Sequence, residues 1–310
     1  MTRMQLMTYV LLLTLHLGNQ RTSAEKLSGK CINLDMAKSS TAYIFTQTDT
    51  TDQAAIDYIR KEWQDRRDFL KVWEYADTSL GPNCTIPLGL RREHLMAINA
   101  YTQHSRLYQE FNAASRKYGA SDAIYQKKFH FKSFHYLLSV ALAKFQQKER
   151  LTFRGVQNLF NATKGDKVRL GQFSSTSLRQ SVAMQFMNRN SKSNTLFEIK
   201  TKLGVLIKQF SDFKDEDEVL IPPTEVFKVK NKPQWEKKDN MKWIKIKLAS
   251  SGCEGIKVMV DTYNGKFEVR RGKRNFSRVG QLFPGRKPCQ LGMKDITSQL
   301  NNKKLVANRL

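Results

Sequence analysis

The stretch Lys214-Asp215-Glu216-Asp217-Glu218-Val219-Leu220-Ile221-Pro222-Pro223 decides how the rest of the chain is read. Five polar residues, four of them acidic, run directly into an apolar triplet closed by two prolines. Val219 to Ile221 are good strand formers, and Pro222 cannot donate to a ladder, so the strand ends there. The pattern predicts a loop that delivers carboxylates to the mouth of a buried strand. Glu216 and Glu218 lie two apart. In extended backbone that spacing points both carboxylates to one side and Asp217 to the other. An acidic run alone is more simply a solvated turn. Here it is an island in a basic chain: 53 Lys and Arg stand against 28 Asp and Glu, a formal net charge of +25.

Two upstream features match it in character. Arg150-Leu-Thr-Phe-Arg154 alternates as a strand and meets Gly155, so an Arg at the strand end can hold an anion that the backbone approaches closely. Arg169-Leu-Gly-Gln-Phe-Ser-Ser-Thr-Ser-Leu178 sets four hydroxyl residues before a helix expected over 179–187. A serine-rich turn and N-cap is the simpler account of Ser177. No Gly-x-Gly-x-x-Gly occurs, so a Rossmann dinucleotide site is not indicated.

The chain divides by pattern. Helices are expected from Thr51, capped by Thr51 or Asp52, with Ile56, Ile59, Trp63, Leu70 and Trp73 on one stripe. A loop over Ser79–Gly89 follows, then helices over Arg92–Thr102, Ser105–Lys117 and Phe131–Gln146. Strands are expected at 150–154, Thr195–Lys200, Val205–Lys208, Glu218–Ile221, Glu225–Val229 and Trp243–Leu248, and a hairpin from 257–260 and 266–269. Helices first and strands later indicate an α+β fold rather than alternating βαβ units. No repeat or low-complexity tract is present.

At 310 residues the chain can bury a sizeable core. Residues 1–24 read as a signal peptide: Arg3, a short apolar core around Val10–Leu15, and small residues Thr22, Ser23 and Ala24. That run is short for a membrane span, and no transmembrane segment follows. The C-terminus is polar and basic, without the apolar tail of a lipid-anchor signal. A secreted, extracellular protein is expected. Cys31, Cys84, Cys253 and Cys289 are disulfide candidates, with three pairings open. They lack Cys-x-x-Cys spacing and His is scarce, so no metal is expected. Asn83, Asn161 and Asn275 head glycosylation sequons. The domain plan is a signal peptide over 1–24, a catalytic domain over 25–270 and a loosely ordered basic tail over 271–310. From Glu254 on, 13 Lys and Arg face four Asp and Glu, so anionic glycans or surfaces are the tail's expected partners.

Phe153-Arg154-Gly155, Gly171 to Ser177 with Ser175-Thr176-Ser177, and Glu216-Asp217-Glu218 ahead of Val219 to Pro223 occur in a specific order. In that order the chain resembles the arginine-specific ecto-mono-ADP-ribosyltransferases, relatives of the clostridial-type toxins with an R-S-E triad. Leu34–Ala37, Pro87–Leu90 with Glu93 and His94, Ala100–Thr102 and Phe131–Leu138 extend the likeness over about residues 34–248. The resemblance implies a helical N-terminal half packed on a mainly antiparallel two-sheet β core that holds an NAD cleft. It implies transfer of ADP-ribose from NAD, as co-substrate, to arginine on target proteins, releasing nicotinamide.

Roles follow by position. Glu218 would stabilise the oxocarbenium-like ribose, Glu216 would serve the acceptor arginine, Arg154 the pyrophosphate, and Ser175 the catalytic carboxylate and ribose. Tyr101, Gly155, Gln172 and Ser211 would be further NAD contacts. Relatives often tie the N-terminal segment to a late strand through cysteines, which suggests Cys31–Cys253 and then Cys84–Cys289. An NAD glycohydrolase, or a silent basic binding protein on the same fold, are the alternatives. The second predicts loss of triad residues, and none is lost.

Overall fold

A computed structural model describes residues 31–191, 193–261 and 267–272. The described residues from Ile32 on belong to one compact unit. The expected signal peptide, most of the basic tail, Asn275 and Cys289 lie outside the described residues.

Seven helices are seen among the described residues: α1 Asp49–Glu62, α2 Arg67–Leu80, α3 Arg92–Thr102, α4 Arg106–Lys117, α5 Asp122–Lys128, α6 Lys132–Lys144 and α7 Gln180–Gln185. Helix α1 starts earlier than expected. Thr48 is its N-cap, and Thr51 is the return partner: Thr51 N donates to Thr48 Oγ1 at 3.1 Å and Thr48 N to Thr51 Oγ1 at 2.9 Å. The single apolar stripe from Ile56 to Trp73 is two helices, broken between Trp63 and Arg66. Trp63 and Trp73 still meet edge to face at 6.3 Å in one core, which is why the stripe reads as continuous.

The strands are β1 Ile32–Asn33, β2 Tyr43–Phe45, β3 Arg150–Val156, β4 Phe160–Asn161, β5 Lys167–Val168, β6 Ser174–Ser177, β7 Thr195–Thr201, β8 Val205–Leu206, β9 Glu218–Ile221, β10 Glu225–Val229, β11 Gln234–Lys238, β12 Met241–Cys253, β13 Ile256–Asp261 and β14 Glu268–Arg271. They make an α+β fold. Nine strands form one sheet in the order β5-β10-β12-β7-β3-β6-β9-β8, with β11 added on β12. Its pairings are antiparallel except β7 with β12. The expected division into two sheets survives as a seam. β3 and β6 share a single register pair, Phe153 with Ser177, and diverge beyond it. The expected late hairpin is β13–β14, joined by β2 in a three-stranded sheet.

The N-terminal helices bury an aromatic core. Trp63, Phe111, Phe129, Phe134 and Phe173 are fully enclosed, and Phe111 meets Phe134 edge to face at 5.0 Å. Each such ring contributes roughly 1.5–3 kcal/mol by burial. Glu62 fixes the start of α6 by accepting from Lys132 N at 2.7 Å and Ser133 N at 3.0 Å. A second core, including Leu34, Phe197, Phe227 and Ile246, lies on the sheet. A third, small one sits under α7 and holds Met187, Leu196 and Trp243.

The cysteines do not pair as expected. Cys31 and Cys84 are free, and Cys253 is disulfide-bonded. Cys31 precedes β1, which pairs with β4, whereas Cys253 stands opposite Glu225 on β10, so register puts the two on different strand pairs. Cys84 lies in the loop after α2, and being free it is not bridged to Cys289. Of the sequons, Asn83 and Asn161 are exposed.

Candidate active site

The divergence of β3 from β6 opens a cleft of about 430 Å³. Tyr101, Arg154, Gly155, Gln172, Ser175, Glu216 and Glu218 all line it. The seam itself is bridged by a side chain: Arg154 Nη1 donates to Ser175 O at 2.7 Å, across the gap where the strand ladder stops. Burial pulls the Arg154 guanidinium below the usual arginine range, with Tyr101, Tyr108 and Glu218 acting in the opposite direction. One guanidinium has five donors, so most remain for an anion in the cleft.

Gly155 has a packing reason of its own. A Cβ there would lie 2.1 Å from Ala183 O and 2.9 Å from Met187 Cγ. The position lets α7 seat against β3, and α7 supplies Val182 and Ala183 to the cleft wall.

Glu218 opens β9 and is 4% exposed. Burial and the neighbouring Glu216 push its carboxyl up to about 7, against the Ser175 and Ser211 hydroxyls and Arg154. Glu216 is raised too, through burial. Two raised carboxyls facing one concavity, beside a cation, mark a site built for charge that arrives with a ligand.

The loop before β9 is not extended. Lys214–Glu216 is a 3-10 turn and Asp217 is left-handed at φ 47°. The same-side argument from spacing therefore fails, yet both glutamates reach the cleft because the turn swings Glu216 in. Asp217 is turned away and held by Lys208 Nζ at 2.7 Å and Arg179 Nε at 3.2 Å. Ser177 acts from behind: its hydroxyl donates to Glu216 O at 2.6 Å and accepts from Arg179 N at 3.0 Å, close to the capping role expected of it. Thr176 ties β6 to Val219 O at 2.7 Å. Asn99 and Thr102 of α3 hold the loop's root through Phe210 O and Asp212 N.

Ser211 does not line the cleft. It stands behind Glu218, donating to Oε2 at 3.2 Å and accepting from Phe213 N at 3.1 Å. Tyr101 is anchored: its hydroxyl donates to Phe173 O at 2.8 Å and accepts from Asn112 Nδ2 at 2.9 Å. Burial lifts it well above the ordinary tyrosine range.

Sequence reasoning missed the α4 wall. Tyr108, Asn112 and Arg116 recur every four residues and line the cleft. That polar stripe, opposite buried Leu107, Phe111 and Ala114, was the available signal. Arg116 is a second cation there, lowered by burial and by Arg154. His104 and Phe213 were also missed. Their rings meet at 4.3 Å at the rim.

Among the described residues no cluster of three His, Cys, Asp or Glu is arranged to hold a metal. No described helix is long and apolar enough to cross a membrane.

The chain is similar to known proteins. The chain is 43% identical over 174 residues to NAD(P)(+)–arginine ADP-ribosyltransferase 2 of Gallus gallus, covering 55% of this chain and 50% of that protein. It is 41% identical over 207 residues to the GPI-linked NAD(P)(+)–arginine ADP-ribosyltransferase 1 of Oryctolagus cuniculus, covering 64% and 61%. The match thus spans about half to three-fifths of these relatives' length. The crystal structure of the eucaryotic mono-ADP-ribosyltransferase ART2.2 superposes with a TM-score of 0.58 at 27% identity, over 79% of this chain and 97% of that one. Mutants of that protein have been solved with NADH and with NAD. The family model for NAD:arginine ADP-ribosyltransferase matches residues 34–252, from just after β1 through the cleft and into β12, and the chain belongs to that family.

Proposed function

We propose that this chain transfers ADP-ribose from NAD to an arginine side chain and releases nicotinamide. The observation that carries the reading is the buried Glu218 carboxylate in the cleft that Arg154, Ser175 and Glu216 also line. Family membership and the NAD-bound ART2.2 structures support NAD as the ligand.

Each residue has a task its chemistry suits. Glu218, once ionised, places negative charge where the ribose gains positive charge as the bond to nicotinamide breaks. The bond's electron pair leaves with nicotinamide. Ser175 and Ser211 hydroxyls hold that carboxylate, and Arg154, joined by Arg116, receives the pyrophosphate. Tyr101, Gly155 and Gln172 complete the NAD surface. Glu216 orients the acceptor guanidinium and takes the proton it sheds as the new carbon–nitrogen bond forms, since a guanidinium is almost always protonated. Extracellular action fits relatives named ecto- and GPI-linked enzymes. Secretion through residues 1–24, glycosylation at Asn83, Asn161 or Asn275, and anionic partners for the basic tail belong to the same proposal.

The test separates transfer from hydrolysis. Incubated with labelled NAD and an arginine analogue, the protein yields ADP-ribosyl-arginine and nicotinamide. Glu216→Gln keeps shape but loses basicity, so it loses transfer and retains nicotinamide release to water. Parallel loss of both products would mean that Glu216 serves NAD itself. Nicotinamide release without transfer in the unaltered protein would favour the glycohydrolase.

A further inference from the structure

Away from the cleft, the β11–β12 hairpin carries a charge arrangement that folding alone does not reward. The register sets Lys237 directly opposite Lys242 and Trp235 opposite Ile244. Directly opposed residues share a face, and like charges so placed are destabilising. The Lys242 ammonium lies 4.5 Å over the Trp235 ring, and Trp235 is 49% exposed. Glu236, the carboxylate of β11, is taken up elsewhere, by Trp243 Nε1 at 3.1 Å and Lys245 Nζ at 3.5 Å. The turn residues Asp239 and Asn240 are both left-handed, which closes the hairpin tightly behind the lysines. A second opposed pair in the same sheet, Lys167 and Lys228, is offset: Glu254 lies 3.8 Å from Lys167.

We propose that the Trp235–Lys237–Lys242 face binds a sulfated glycosaminoglycan. Two adjacent ammonium groups supply the charge that sulfates require. An exposed indole offers a flat apolar surface for the carbon–hydrogen face of a sugar ring. A membrane fits poorly, because the tip Lys238-Asp239-Asn240 has no apolar residue to enter lipid.

A net charge of +25 attracts any polyanion, so the experiment separates this face from the global charge. A size-defined heparin oligosaccharide is titrated into the full-length chain at 0.15 M NaCl, with NAD cleavage as the check of folding. The variant Trp235→Ala/Lys237→Gln/Lys242→Gln is expected to bind at least about tenfold more weakly, the equivalent of one good contact pair. Lys167→Gln/Lys228→Gln removes the same two charges and is expected to stay within about threefold, as screened surface charge does. If the triple variant is misfolded, Lys237→Glu, a fully surface change, is expected to give the same loss. Equal weakening by the two multiple variants, or no weakening by the first, overturns the proposal. So does a loss of affinity confined to single-stranded DNA or phosphatidylserine vesicles.

Discussion

Glu218 and Glu225 open the successive strands β9 and β10, and both are buried carboxylates raised by that burial. Their surroundings differ. Glu225 accepts from Thr201 Oγ1 at 2.5 Å, Lys202 N at 2.6 Å and Leu203 N at 3.2 Å, and so clamps the turn after β7. Glu218 accepts from Ser211 at 3.2 Å, with Ser175 nearby, and its open side is the cleft. One carboxylate is satisfied by backbone and serves the fold. The other is left with unused acceptor capacity facing the cleft, which is a cost to the fold and a resource for chemistry.

That contrast breaks most visibly at Glu225. Glu225→Ala leaves a buried hydroxyl and two backbone N–H groups without their acceptor. Unfolding in urea should show a loss of about 2–4 kcal/mol, while the remaining folded protein keeps its affinity for NAD. Unchanged stability would mean that the three bonds carry no net weight.

The next effect is in pH. Glu218 must be ionised to act and its carboxyl sits at about 7, so NAD cleavage should fall as pH drops through that value. An acid limb near 4.5 would show that Glu218 is not the group observed. Ser211→Ala sharpens this with a smaller shift. It removes a donor that favours the ionised form, so the limb should move to more alkaline pH with little change in the plateau. A limb that moves the other way would contradict the bond's role.

The two glutamates also mark how far sequence reasoning reached. Strands Glu218–Ile221 and Glu225–Val229 and helix Arg92–Thr102 match their expected bounds, because apolar runs with clear stops leave little choice. Helix α5, at seven residues, is too short for periodicity to register, and β6 is a strand of hydroxyl residues because one side of it is the cleft. Spacing along the acidic loop could not reveal the left-handed Asp217, since a single φ angle reverses which side chains share a face. Arg154, Ser175, Glu216 and Glu218 were legible as motifs. The wall of α4 was not, since a polar stripe at Tyr108, Asn112 and Arg116 looks like any solvated helix face. Glu225 carried no sequence signal that it would be buried and clamped, because its partners lie on the turn after β7.

The most direct test of the contrast is Glu218→Gln measured two ways at pH 8. Nicotinamide release should fall roughly a hundredfold to a thousandfold, as when one preorganised electrostatic partner is removed. The same variant should melt at a higher temperature. An unfolded glutamate ionises near its ordinary 4.5 and the folded one near 7, so stability is lost as pH rises between those values. Gln escapes that loss, on the order of 3 kcal/mol. The gain should vanish below about pH 4.5, where both states hold the proton. A variant that is inactive and more stable at pH 8 is the predicted result. One that retains near-normal turnover, or melts lower than the unaltered protein, would contradict the account.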